Sequence, residues 1–211
     1  MTALVLTHGL GSSAAGWRQQ VRHLSYFGRI ITWDLPGHGE RTGMQCADWS
    51  ADHAVAMLSH LIGNLDPPLV LGGHSLGGYL ALRCAISRDV RPAGLVLISS
   101  GPGFRDGQKR ERWNSELDKL AARLALPPHV AKIGYLTDSL VIDELHQVAM
   151  PAVIIAGELD RNEYVSGSRY LAAHLPQAEF VTIAGAGHSP HVTHPIETNH
   201  AIRRFVNRVT T

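Results

Sequence analysis

The sequence predicts an α/β fold built on a doubly wound, mostly parallel sheet of about six strands, with a small helical cap. Short runs rich in Val, Leu and Ile alternate with amphipathic segments, and this alternation is typical of parallel strands joined by crossover helices. One long interval, residues 101–149, has helical patterning and no strand candidate. The chain has 211 residues, 45% of them hydrophobic, which is enough to bury one full core.

The strands are predicted from short, nearly continuous apolar runs, which are typical of strands buried on both faces. These runs are Ala3–Thr7, Arg29–Trp33, Leu69–Gly73, Gly94–Ser99, Pro151–Ala156 and Glu179–Ala184. Apolar residues at helical spacing predict the helices between them. The clearest sets are Trp17, Val21 and Leu24, then Val55, Leu58 and Ile62, and finally Ile202, Phe205 and Val206.

The interval 101–149, hereafter the cap segment, is predicted to be a helical insertion over the strand ends. It divides the α/β core into residues 1–100 and 150–211. Apolar residues recur at helical spacing at Trp113, Leu117, Leu120 and Leu124. A structureless loop of this length would be unusual inside a compact domain, so a small cap is the better interpretation.

Charge and composition restrict the classes of partner. The 19 basic and 18 acidic residues leave a formal net charge of +1, which argues against nucleic acid and anionic membranes. The segment MTALVLTHGL has no cationic leader, and no later stretch approaches the ~20 apolar residues of a membrane span. Cys46 and Cys84 have no metal-binding or redox spacing. We therefore expect a cytoplasmic protein that acts on a small molecule.

The segment Gly73–Gly77, with sequence GHSLG, predicts a nucleophile at Ser75. A strand precedes it and a helix follows, and glycines two residues away on either side permit a tight turn without a Cβ. Such a turn projects the Ser75 hydroxyl outward. The N–H of Leu76 at the start of the helix is then the first donor to an oxyanion.

Two later strand ends supply the partners that a serine nucleophile needs. Asp160 follows the run VIIA, His188 follows the run VTIA, and the order Ser, Asp, His is the one that this turn requires. His188 would take the Ser75 proton, Asp160 would orient the imidazole, and the N–H of Leu10 would be the second oxyanion donor. The alternatives are that Asp160 caps a helix over 162–175 and that His188 is an ordinary loop histidine.

Four motifs together resemble the α/β-hydrolase superfamily over nearly the whole chain. They are His8–Gly9, the DLPGHG segment at Asp34–Gly39, GHSLGG at Gly73–Gly78 and GAGH at Gly185–His188. The resemblance implies a serine hydrolase that cleaves a small or medium acyl ester or thioester through an acyl-enzyme, with no metal or organic cofactor. Members usually begin with an antiparallel hairpin, and because this chain starts almost at the strand that follows it, the sheet is expected to lack two strands. The run Arg29–Trp33 is therefore expected at a sheet edge, which raises the hypothesis of a homodimer.

Several other functions fit part of the sequence. The same triad serves carbon–carbon hydrolases and a menaquinone-pathway synthase that acts as a lyase, although Tyr79 stands where the arginine of that synthase is expected. Some members of the superfamily are ligand receptors with vestigial catalysis. The segment Gly9–Ala14, with Asp34 after the next strand, also fits a dinucleotide-binding fingerprint. That oxidoreductase interpretation leaves Asp160 and His188 unexplained.

Two further clusters have ordinary explanations. A metal site at His188, His191 and His194 is disfavoured because Pro190 and Pro195 break the helical face, and His191 is expected to pack beneath the catalytic loop. The basic residues of the cap segment can recognise a carboxylate, but a solvated face is the commoner meaning of such a run. They are Arg105, Lys109, Arg110 and Arg112, and nearby Trp113 fits a cap core and a substrate wall equally well.

Overall fold

A six-stranded parallel sheet forms the centre of the protein, in a computed structural model that describes residues 2–87 and 90–210. The strand order is β2-β1-β3-β4-β5-β6, and every neighbouring pair is parallel. The predicted fold class is confirmed, and each strand boundary lies within one residue of its prediction. The strands are β1 (Thr2–Thr7), β2 (Gly28–Trp33), β3 (Leu69–His74), β4 (Gly94–Ile98), β5 (Ala152–Gly157) and β6 (Ala178–Ile183).

The inner and edge strands differ in burial. Strands β3, β4 and β5 are buried at every residue, whereas most residues of β2 and β6 are half-buried. The expectation that all six strands are buried is therefore wrong for these two, because an edge strand has a neighbour on one side only. The run Arg29–Trp33 lies at an edge, as predicted. Dimerisation through this edge stays a prediction, which light scattering at high concentration tests.

Helices cover both faces of the sheet. They are α1 (Arg18–Leu24), α2 (Ala51–Ile62), α3 (Leu76–Ile86), α4 (Gly107–Arg123), α5 (Leu140–Asp143), α6 (Asn162–His174), α7 (Pro190–Thr193) and α8 (Pro195–Thr210). Apolar side chains of α1 and α8 pack with one set of strand residues, and those of α2, α3 and α6 pack with the alternate set. This is the doubly wound arrangement, since successive strand side chains point to opposite faces.

The buried face of the first helical segment differs from the prediction. Val21 is 39% exposed, whereas Gln20 is fully buried between Trp17 and Leu24. The reason is that Trp17 ends a 3₁₀ turn, Ala14–Trp17, which has a different rotation per residue from the α-helix after it. The Gln20 amide nitrogen donates to the carbonyl of His191, 3.0 Å away, and so connects α1 to α7.

The cap segment contains helices and turns only. Between β4 and β5 the structure describes every residue and has α4, a 3₁₀ stretch at Pro128–Gly134, α5 and a further 3₁₀ turn at Leu145–Gln147. This segment packs against the loop after β1, where Leu10 lies on a cluster of Leu117, Ala121 and Ala131. A Cβ at Gly11 in the same loop would clash with Leu124.

A buried arginine holds the cap segment to α3. Arg83 is only 7% exposed, and its Nη2 lies 2.9 Å from Oδ2 of Asp138 in the cap segment. Its Nε lies 2.8 Å from Oδ1 of Asp52 in α2, and the guanidinium lowers the pKa of Asp138. Sequence reasoning missed this network, because neither aspartate is near Arg83 in the chain.

Candidate active site

Ser75 occupies a strained turn between β3 and α3. Its φ of 52° and ψ of −114° lie in a region that residues with side chains rarely adopt. The turn is held by the Ser75 N–H, which donates to the Ile98 carbonyl at 2.8 Å, and by the Ser100 hydroxyl, which donates to the Ser75 carbonyl at 2.8 Å. A Cβ at Gly73 would clash with the backbone of Gly77, so the flanking glycines are required by space.

Asp160 and His188 form a direct pair at the ends of β5 and β6. His188 Nδ1 lies 2.9 Å from Asp160 Oδ2 and 3.1 Å from Oδ1. The Asp160 side chain is 1% exposed and the His188 side chain 33%. With Nδ1–H donating to the carboxylate, Nε2 is left to accept a proton. The capping alternative fails, because the N-cap residue of α6 is Arg161 and no side chain caps this helix.

Tyr164 and His74 bring Ser75 and His188 into one site. The Tyr164 ring centroid is 3.9 Å from that of His188, and the Ser75 side chain is close enough to lower the pKa of the Tyr164 phenol, against the larger effect of burial. The His74 ring, next to Ser75 in the chain, is 4.7 Å from the His188 ring. His74 Nε2 also donates to the His188 carbonyl at 2.8 Å. The three residues singled out in the sequence therefore lie together, with Tyr164 as a neighbour that the sequence did not suggest.

The two amides proposed as oxyanion donors lie in adjacent loops. Thr7 of β1 pairs with Gly73 of β3, so the loop after β1 runs beside the Ser75 turn. Among the described residues, the N–H of Leu10 has no acceptor. Leu76 is the first residue of α3, where N–H groups lack an acceptor within the helix and the helix dipole is positive. The assignment of these two donors stays a prediction.

Two buried histidines hold the loop that carries Leu10. His8 Nε2 accepts from the Leu35 N–H at 3.0 Å, and its Nδ1 faces the Gly9 carbonyl at 2.8 Å. His38 Nε2 accepts from the Gly11 N–H at 3.0 Å. A ring nitrogen that accepts from an N–H must be unprotonated, so each of these rings has a donor on one nitrogen and an acceptor on the other. Both bonds need the neutral imidazole.

These rings belong to a buried histidine layer, which we define as His8, His38, His74 and His191. Burial lowers the pKa of His8 to about 4 and that of His191 to about 3. Burial also lowers the pKa of His38, and it lowers the pKa of His74 well below the ordinary range. His191 packs against Trp17 and His74, behind the catalytic loop as expected. The layer is neutral at physiological pH.

Backbone N–H groups of the glycine-rich loop after β1 already donate hydrogen bonds within the protein. The Gly11 N–H donates to His38, and the Asp34 carboxylate accepts from the N–H groups of Ala14 at 2.6 Å and Glu40 at 3.0 Å. A dinucleotide site would need these amides for a pyrophosphate and this carboxylate for a ribose. The contacts favour a structural role for Asp34 in the DLPGHG turn.

The remaining candidate residues take part in local contacts. His194 Nδ1 lies 2.9 Å from the Thr193 hydroxyl, and no three acidic, His or Cys residues in the described part of the chain form a metal-binding group. Arg105 binds Asp143, with Nε 2.6 Å from Oδ1, and Arg110 donates to the Phe104 carbonyl at 3.0 Å. Two of the four basic cap residues thus bind the cap segment itself.

A family comparison decides the classification. The family model of the alpha/beta hydrolase family matches residues 4–137, more than half of the chain. The chain belongs to this family. The predicted resemblance is therefore confirmed, and with it an enzyme of the hydrolase type. No helix within residues 2–87 and 90–210 has the length and apolar character needed to cross a membrane.

Relatives of this hydrolase carry the names of an ester hydrolase and of another hydrolase. It is 29% identical over 248 residues to a pimeloyl-[acyl-carrier protein] methyl ester esterase of Xanthomonas oryzae pv. oryzae, covering 98% of this chain and 96% of that protein. It is 25% identical over 236 residues to an (E)-2-((N-methylformamido)methylene)succinate hydrolase of Acinetobacter baylyi, covering 96% and 89%.

Solved structures support the same fold. A thermophilic esterase from Thermogutta terrifontis superposes with a TM-score of 0.86 at 24% identity, covering 100% of this chain and 91% of that one. MenH from S. aureus superposes with a TM-score of 0.87 at 22% identity, covering 100% and 95%. At these sequence identities the structural similarity is evidence for the fold alone. Tyr79 is buried, and its hydroxyl lies 3.5 Å from Nη1 of Arg83.

Proposed function

We propose that this hydrolase cleaves a small or medium acyl ester or thioester through a covalent intermediate on Ser75. The observation that carries the proposal is the buried Asp160 carboxylate on His188 Nδ1, beside a serine held at a φ of 52°. The names of the methyl ester esterase relatives support an ester as the bond that is cleaved. Residues 101–149 would act as the cap that shapes the substrate site.

The reaction follows from the groups in place. His188 Nε2 takes the Ser75 proton as Oγ bonds to the acyl carbon, and the carbonyl oxygen becomes an oxyanion bound by the amides of Leu10 and Leu76. When the intermediate collapses, the bond to the leaving group breaks and His188 gives that group the proton. A water then repeats the sequence with His188 as base, which releases the acid. Asp160 stays ionised and stabilises the imidazolium.

The experiment combines turnover with isotope labelling. A series of p-nitrophenyl esters of increasing acyl length is hydrolysed in water enriched in ¹⁸O, and the acid is analysed by mass spectrometry. We expect many turnovers per enzyme and one ¹⁸O atom in each acid released. A single burst followed by silence would indicate a receptor with vestigial catalysis, and ¹⁸O in the nitrophenol instead of the acid would show that the acyl–oxygen bond is not the one cleaved. Either result contradicts the proposal.

A further inference from the structure

The side chain of Tyr164 packs on His188 and lies near Ser75, and no step of the mechanism above uses it. Its ring lies 3.9 Å from the His188 ring at an interplanar angle of 42°. The Ser75 side chain is close enough to lower the pKa of the Tyr164 phenol, against the larger effect of burial, which raises it. On the other side, the Tyr164 ring is 5.7 Å from the Trp113 ring of the cap segment. Tyr164 therefore separates the reacting groups from the cap segment.

The local fold fixes this position. Helix α6 begins at Asn162, two residues after Asp160, and the Tyr164 N–H donates to the Arg161 carbonyl at 3.0 Å. The first turn of the helix thus places Tyr164 next to the Asp160–His188 pair. His74 lies on the His188 ring at 4.7 Å, so the imidazole has two ring neighbours. Burial raises the pKa of Tyr164, and its phenol stays a hydrogen-bond donor at physiological pH.

The contacts indicate which part of a substrate the phenol would meet. In the proposed reaction the carbonyl oxygen faces the amides of Leu10 and Leu76, and the leaving group faces His188, which must protonate it. Tyr164 packs on His188 and reaches Ser75 from there. Its hydroxyl therefore lies on the leaving-group side of the attacking oxygen.

We propose that Tyr164 is a specificity-determining residue for the leaving group, whose hydroxyl donates to the departing oxygen while its ring limits the size of that group. This inference rests on the proposed function. When substrate binds beside Ser75, the phenol would donate a hydrogen bond to the ester oxygen, and such a neutral bond has a modest net strength.

The covalent step balances without a proton from the phenol. The bond from Ser75 Oγ to the acyl carbon forms, and the bond from that carbon to the alkoxy oxygen breaks. The Ser75 proton passes through His188 to the departing oxygen, which leaves as an alcohol. The Tyr164 proton stays on the phenol and only strengthens its hydrogen bond as negative charge develops on that oxygen.

The test compares leaving groups in the Tyr164→Phe variant, which keeps the ring and removes the hydroxyl. For the methyl ester of a given acid we expect kcat/KM to fall about tenfold, the rate equivalent of one hydrogen bond. For the p-nitrophenyl ester of the same acid we expect less than a ~2-fold change. Nitrophenolate is a stable anion, so its departure gains little from a hydrogen bond to the leaving oxygen. Melting temperatures verify that the variant is folded.

The ring is tested with a series of alkoxy groups from methyl to butyl. We expect kcat/KM to fall along the series in the wild type and in Tyr164→Phe, and to stay nearly constant in Tyr164→Ala, which opens the space. The matched control is Tyr170→Phe in the same helix, whose hydroxyl binds Arg105 and whose ring stacks on His174 at 3.9 Å. This control is expected to keep both wild-type patterns.

The two proposals fail in different ways. An unchanged kcat/KM for the methyl ester in Tyr164→Phe, or an equal fall for both esters, would overturn the role of the phenol while wild-type turnover persists. A steep alkoxy series in Tyr164→Ala would overturn the role of the ring. A folded wild type that turns over neither ester would overturn the proposed function, and the inference with it.

Discussion

The two sides of the His188 ring are lined by different kinds of residue. On the inner side lies the buried histidine layer, whose bonds to Leu35, Gly11 and the His188 carbonyl hold the catalytic loops. On the outer side, Tyr164 and Trp113 are half-buried, and ring contacts alone connect one to the other. From this difference we expect the inner side to fix the geometry of the proposed reaction and the outer side to select among substrates.

The largest effect is expected where both sides meet, at the nucleophile. Ser75→Ala should lower kcat by about 10⁴-fold to 10⁶-fold, because the remaining groups cannot form the acyl-enzyme. Steady-state kinetics gives the loss, and thermal unfolding verifies the fold. Ser166→Ala, an exposed serine of α6, is the control and should be inert. A loss below about tenfold would remove Ser75 from the reaction.

A smaller loss is expected for the residue that orients His188. Asp160→Asn keeps the shape of the side chain but can present an amide N–H to Nδ1, which favours the wrong tautomer. We expect kcat to fall by about 10³-fold to 10⁴-fold with little change in KM. A rise in KM at constant kcat would mean that Asp160 serves substrate binding instead.

The inner side should make the protein sensitive to acid. In the unfolded chain a histidine titrates near 6.5, but in the fold the pKa of His8 is about 4 and that of His191 about 3. The unfolded state therefore binds more protons below pH 6.5. Stability is complete above that pH and declines as pH falls, by about 2 kcal/mol per such histidine at pH 5.

Urea unfolding at pH 7 and pH 5 measures this decline. His191→Phe removes one titrating group and retains a ring against Trp17, so the difference between the two pH values should shrink by about 2 kcal/mol. The control His146→Gln, at a side chain that is 72% exposed, should leave the difference unchanged. Equal wild-type stability at both pH values would show that the fold does not lower the pKa values of the buried histidines.

The smallest effect is expected where the cap segment is attached. Asp138→Asn removes one of two carboxylates from the buried Arg83 and should lower the free energy of unfolding by about 1–2 kcal/mol. Asp52→Asn should cost less, because the Asp52 side chain is 74% exposed and that of Asp138 is 42% exposed. Chemical denaturation measures both variants, and a larger loss for Asp52→Asn would contradict the burial argument.

The strands and the Asp160–His188 pair could be predicted because their signals are local. Continuous apolar runs give the strands within one residue, and the carboxyl ends of parallel strands bring Asp160 and His188 to one edge. Other features depend on distant contacts. Arg83 meets Asp138 across 55 residues, and Gln20 meets Asn199 across 179. No sequence pattern around Arg83 or Gln20 predicts its partner.

Tyr164 is an intermediate case. It lies four residues after Asp160, so the first turn of a helix beginning there places it near the carboxylate. This spacing could have placed Tyr164 beside Asp160, although no motif singles it out. Its proximity to Ser75 could not be predicted, because it depends on how closely α6 packs against the turn after β3.

The most direct test of the central claim is the labelling of Ser75 by a fluorophosphonate, followed by peptide mass spectrometry. We predict that the label is found on the peptide that contains Ser75 and that His188→Ala slows its attachment at least ~10³-fold, since the hydroxyl then lacks its base. A label on another residue, or an equal rate of labelling in His188→Ala, would contradict the account.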